Sequence, residues 1–96
     1  HDGGVKIQPS AAELLTSEAK AILLDLDSEL PDGNWDLQTL TVFINEFLAE
    51  KNLKMRDIGP LLRAAVTGMK ESPSIVDIMV ILGRTETSTR IRVACK

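Results

Sequence analysis

The chain is poor in the groups that carry most enzyme chemistry. It has one cysteine, Cys95, one histidine, His1, and no tyrosine among its 96 residues. A single cysteine excludes an internal disulfide and a thiolate metal cluster, and it fits a reducing setting. With His1 at the very start, the usual general base and the commonest metal ligand are missing from the body of the chain. Aromatic residues are only Trp35, Phe43 and Phe47, each expected in the core, so a stacking sheet for single-stranded nucleic acid is not expected. No apolar run approaches the ~20 residues of a membrane span, and no signal peptide opens the sequence. Catalysis by this stretch alone is not expected.

Hydrophobic residues make up 44% and charged residues 26%, ordinary values for a folded domain. Ninety-six residues suit one core, taken here as residues 9–96, with residues 1–8 read as a tag remnant or linker. The net charge of −3 conceals an asymmetry. Residues 1–50 carry two basic and ten acidic groups, whereas residues 51–96 carry nine basic and four acidic ones. The basic half can meet a phosphate backbone, and the acidic half argues against indiscriminate binding of nucleic acid.

Apolar spacing predicts about five helices and no strand pairs. Ser10 and Glu13 have the form of a capping box, so the first helix is expected to start there and to run to Leu30, before Pro31-Asp32-Gly33-Asn34. Asp36 is placed to cap a second helix with a stripe of Leu37, Leu40, Ile44, Phe47 and Leu48, closed by Lys51-Asn52. The first two helices are expected to form a hairpin. Trp35 is expected to staple the entry of the second against Leu40.

The third helix is the centre of the pattern. Ile58, Leu61, Leu62, Ala65, Val66 and Met69 form its apolar stripe, and Arg56, Arg63, Thr67 and Lys70 share another face. Gly59-Pro60 inside this pattern predicts a kink or a restart. Gly68 can end the helix in the left-handed conformation. Ser72 can then cap a fourth helix with Pro73 at its first position, running to Leu82 and apolar around nearly its whole circumference, hence expected to be the most buried. Thr85 is expected to cap a fifth, with Thr87, Ile91 and Ala94 or Cys95 facing inward and Glu86 paired to Arg90.

Several stretches here resemble the end of bacterial-type glutamyl-tRNA synthetase: Leu53-Lys54-Met55, Asp57-Ile58, Leu62-Arg63-Ala64-Ala65-Val66-Thr67-Gly68, Ser72-Pro73 and Ile81-Leu82-Gly83. With a weaker match from Leu14-Leu15-Thr16 onward, the likeness covers nearly the whole chain after Gln8. It implies an all-α fold, a compact bundle or cage of about five helices of the class I synthetase anticodon-binding type. It also implies recognition of a tRNA anticodon loop, that of tRNA-Glu or also tRNA-Gln, by a cytoplasmic, monomeric protein. The anticodon-reading residues carried over are Arg63, Ser72, Pro73, Ser74 and Ile75. Arg56, Lys70, Arg84, Arg90 and Arg92 have no matched role and are candidate phosphate contacts.

Two departures from the family pattern stand out. Ser74 occupies a position where the family often has glycine, and Pro60 precedes by one the usual proline position, which Leu61 fills. Neither an H-I-G-H-like nor a K-M-S-K-S-like segment occurs, so no cofactor is expected here. The ATP- and magnesium-dependent attachment of glutamate is implied for a separate catalytic domain of the parent ligase. A helical protein-interaction module that docks through its acidic half is the competing reading of the charge pattern.

Overall fold

Pro9 opens the first helix, where a missing N–H is no loss, and the computed structural model describes residues 7, 9–69 and 74–96. Six helices follow: α1 Pro9–Ala12, α2 Ser17–Ser28, α3 Leu37–Lys51, α4 Met55–Thr67, α5 Ile75–Leu82 and α6 Arg84–Ala94. Among the described residues there is no strand, so the all-α expectation holds, with six helices in place of five.

The extra helix comes from a break in the first one. Ser10 lies inside α1 and does not cap it, and Glu13 donates its N–H to the Pro9 carbonyl at 3.2 Å. Leu14 and Leu15 close tighter bonds to Ala11 and Ala12, the form a chain takes as a helix ends. Thr16 then caps α2, its hydroxyl accepting the Ala19 N–H at 3.1 Å. A threonine hydroxyl competes with the helical pattern of its own segment and so favours a cap.

The Asp36 cap is present, with Oδ1 accepting the Thr39 N–H at 2.8 Å. That bond holds the Asp36 carboxyl below the usual aspartate range. Its stabilisation is complete above the ordinary value and is lost as pH falls through the lowered one. Asn52 closes α3 in the left-handed conformation, φ 58°. Leu40, Ile44, Phe47 and Leu48 are buried, whereas Leu37 in the first turn is 51% exposed. The expected hairpin of the first two long helices does not form: α2 lies against α6 and α4, and α3 against α5. Trp35 reaches across to α5 and donates its indole N–H to the Met79 carbonyl at 2.7 Å.

The core joins Leu23 and Leu26 of α2, Leu40 of α3, Ile58, Leu62 and Val66 of α4, Ile75 and Met79 of α5 and Ile91 of α6, all essentially inaccessible to solvent. With six buried residues, α4 is the central helix. It packs against α6, α5, α2 and α1. α5 is not the most buried element, as Ile75 and Met79 alone are buried and Ile81 is 83% exposed. An eight-residue helix that leans on three neighbours still leaves one side to water, and an all-apolar sequence does not say which side.

Thr87 is buried, and among the described residues its hydroxyl has no hydrogen-bond partner. A buried hydroxyl without a partner costs about 1–3 kcal/mol, and valine has nearly the same shape. Thr87→Val is expected to raise stability by about 1 kcal/mol. That gain appears as a rise of roughly 4–8 °C in the thermal midpoint.

Candidate nucleic-acid interface

The outward side of α4 is where charge and access coincide. Arg56, Pro60, Arg63 and Thr67 recur at intervals of four, three and four residues, so they form one row along the helix. Arg56 is exposed, and Pro60, Arg63 and Thr67 are half-buried. Among the described residues no carboxylate lies within ion-pair distance of Arg56 or Arg63. Arg56 sits in the first turn, where the helix dipole disfavours a cation. The neighbouring Asp57 offsets this in part, accepting the Lys54 N–H at 2.9 Å.

Pro60 neither breaks α4 nor restarts it, since the helix is continuous from Met55 to Thr67. Glycine before the proline makes this possible, because the clash that drives a pre-proline residue out of the helical region involves its Cβ. The same bare position lies beneath the arginine. A β-carbon on Gly59 would stand 3.0 Å from Arg63 Nη1 and 3.8 Å from Cζ, with the Met55 methyl also at 3.8 Å.

The row ends in a well-secured turn. Gly68 takes the left-handed conformation, φ 78°, and donates its N–H to the Ala64 carbonyl. The Thr67 hydroxyl donates to the Arg63 carbonyl at 2.7 Å and accepts the Met69 N–H at 3.1 Å. Arg90 of α6 adds Nη1 to the Val66 carbonyl at 2.9 Å, while its Nε pairs with Glu86 at 2.7 Å. Cation and carbonyl suit one another at a helix C-terminus.

The candidate residues therefore separate. Arg63 precedes the end of α4 by about one turn and Ser74 directly precedes α5, so both flank the connection between two helices that pack on each other. Ser74, rather than Ser72, is the residue before α5; it is exposed, and its hydroxyl makes no cap bond. Ile75 is 1% exposed, so its side chain belongs to the core and only its backbone can face a ligand. Ser72, Pro73 and Lys70 lie outside the described residues.

Of the candidate phosphate contacts, Arg90 is held by Glu86 and Val66 with its side chain 20% exposed. Arg84 pairs with Asp32 at 3.3 Å, and Arg92 stands 4.0 Å from Asp27. Of those among the described residues, Arg56 alone lies on the α4 row. Gly83, shared between α5 and α6, replaces Thr85 as the cap of the last helix, which places Arg84 at its first position. Spacing revealed the Glu86–Arg90 pair, but the reach of Arg90 to α4 exists only in the packed molecule. The Gly59 contact with Arg63 likewise had only a faint signal, a Gly-Pro pair four residues upstream of the arginine.

Other chemistry finds little support. Among the described residues no three of His, Cys, Asp and Glu are grouped to hold a metal ion. No helix among them is long and apolar enough to cross a membrane. Burial pushes the Cys95 thiol up, which opposes thiolate formation.

Among the described residues the chain is an all-α domain of six helices in which Arg63, one turn before the end of α4, has no carboxylate at ion-pair distance. A family model described as an anticodon binding domain matches residues 5–95, and the chain belongs to that family. Curated relatives agree. The chain is 42% identical over 83 residues to glutamate–tRNA ligase 2 of Parvibaculum lavamentivorans, 85% of this chain and 17% of that protein. It is 37% identical over 87 residues to glutamate–tRNA ligase 2 of Chelativorans sp., 90% of this chain and 18% of the relative. It is 34% identical over 89 residues to glutamate–tRNA ligase of Bordetella parapertussis, 88% of this chain and 18% of the relative. The chain thus spans less than a fifth of the length of these relatives, and the resemblance seen from Leu53 to Gly83 corresponds to a family relationship.

Proposed function

We propose that this chain is the C-terminal part of a monomeric, cytoplasmic glutamate–tRNA ligase, and that it holds the anticodon loop of tRNA-Glu. Arg63 reads a base, Ser72, Pro73 and Ser74 with the Ile75 backbone supply further contacts, and Arg56 and Lys70 meet phosphates. Anticodon bases are single-stranded and can be splayed out, so their edges are open to an arginine fork. Attachment of glutamate with ATP and magnesium belongs to the rest of such a ligase. The observation that supports this reading most is that Arg63 is not tied down: in an anticodon binding domain it stands half-buried on the α4 row with no carboxylate at ion-pair distance among the described residues.

The test is titration of the chain with an anticodon stem-loop of tRNA-Glu. Arg63→Ala is expected to weaken binding roughly 10–100-fold, the value of one bidentate base contact. Arg56→Gln is expected to weaken it for every loop sequence alike and to reduce the salt slope by about one. Arg90→Met serves as the contrast: it loses stability, about 2 kcal/mol for charge-assisted bonds, and leaves the salt slope unchanged. Equal binding by wild type and Arg63→Ala at low salt defeats the proposal.

A further inference from the structure

We infer that Gly59 is a positioning residue for Arg63, a bare notch in which the guanidinium rests against α4 until RNA draws it outward. The inference builds on the reading of Arg63 as the base-recognising group. An arginine on a helix leans toward the helix N-terminus and so over the residue four positions earlier. Here that residue has no side chain, and the arginine occupies the space one would need: the missing Cβ would be 3.0 Å from Nη1. Gly59 is itself buried, although Arg56 three residues earlier is exposed. Arg63 Nη1 and Cζ and the Met55 methyl are the atoms nearest its missing side chain.

Reading a base edge takes two donors of the fork aimed at the same base. With Nη1 turned to the helix, the fork must leave the notch before it can do so. The apparent affinity is then the intrinsic affinity scaled by the fraction of molecules whose arginine is already outward. A β-carbon at 59 crowds the resting place at its closest atom, which must give by a few tenths of an ångström. Since that atom is the far end of a flexible side chain, the guanidinium gives way toward solvent and the helix backbone stays where it is.

The experiment compares wild type, Gly59→Ala, Arg63→Ala and the double variant by titration with the same anticodon stem-loop. Gly59→Ala is expected to tighten binding roughly threefold to tenfold, and the double variant is expected to match Arg63→Ala. A Cβ before Pro60 also strains the helix, so the comparison is repeated in a Pro60→Ala background, where that strain is absent. The resting position has its own readout: nuclear Overhauser contacts from the Arg63 side chain to the Gly59 α-protons and the Met55 methyl in the free protein, lost on adding RNA. Unchanged or weaker binding by Gly59→Ala in both backgrounds overturns the inference, as do a gain that survives loss of Arg63 and the absence of those contacts. None of these touches the role of Arg63 itself. A null result for Arg63→Ala removes both.

Discussion

Leu62→Ala is expected to cost about 2–5 kcal/mol of folding free energy, the range for deleting most of a buried leucine and leaving a cavity behind. Leu62 is fully buried at the centre of α4, and the helix packs against four others, so no single neighbour can move in to close the gap. For a domain of this size the whole stability is about 5–14 kcal/mol, so at the middle of both ranges roughly a third of it rests on one side chain. Urea denaturation at constant slope measures the loss. Below the transition, RNA affinity is expected to stay within a factor of two of wild type, because the Leu62 side chain is fully buried and Arg63 stands about 100° further round the helix. Adjacent residues thus have separable consequences, one on folding and the other on binding. If Leu62→Ala and Arg63→Ala weaken RNA binding equally at temperatures where both are folded, the loss at Arg63 reflects damage to the helix.

Pro60→Ala acts in the other direction, and is expected to stabilise the fold by roughly 2 kcal/mol. Proline in a helix interior is about 3 kcal/mol worse than alanine, because it lacks an N–H and crowds the carbonyl four residues back. Up to about 1 kcal/mol of that is returned, since proline also restricts the unfolded chain. Pro60 is the sixth residue of a continuous helix, so its missing donor leaves the Arg56 carbonyl without the usual i+4 partner. The midpoint of denaturation is expected to rise with an unchanged slope. A midpoint at or below wild type shows that the proline is compensated by contacts of its ring, which is half-buried on the arginine row.

Much of the helix pattern was legible because caps and turns are local. Asp36, Asn52, Gly68 and Gly83 end or begin helices where their residue types require it. Ser10 and Thr85 are equally good cap residues by type, and both lie inside helices. Thr16 and Gly83 took those roles, so composition identified several candidate caps and long-range packing chose among them. Proline misled for a related reason: the cost of Pro60 is real, but Gly59 lowers it and the burial of Ile58 and Leu62 on either side exceeds it.

At the interface the division is sharper. The cationic row of α4 follows from the 3.6-residue period, so Arg56 and Arg63 share a side in any structure that makes that segment helical. Which arginines remain available does not follow. Arg90 has the same residue type and a similar setting in the sequence, yet it closes the end of α4 through Val66, and Ile75 of the proposed contact segment is a core residue.

The sequence by itself determined the class of fold, the central helix and the row on which its arginines stand, because these depend on the spacing of residues within one element. The tertiary structure decided which cations are tied down and which side of α5 faces water. Those outcomes depend on groups far apart in the chain and become definite only when the helices meet.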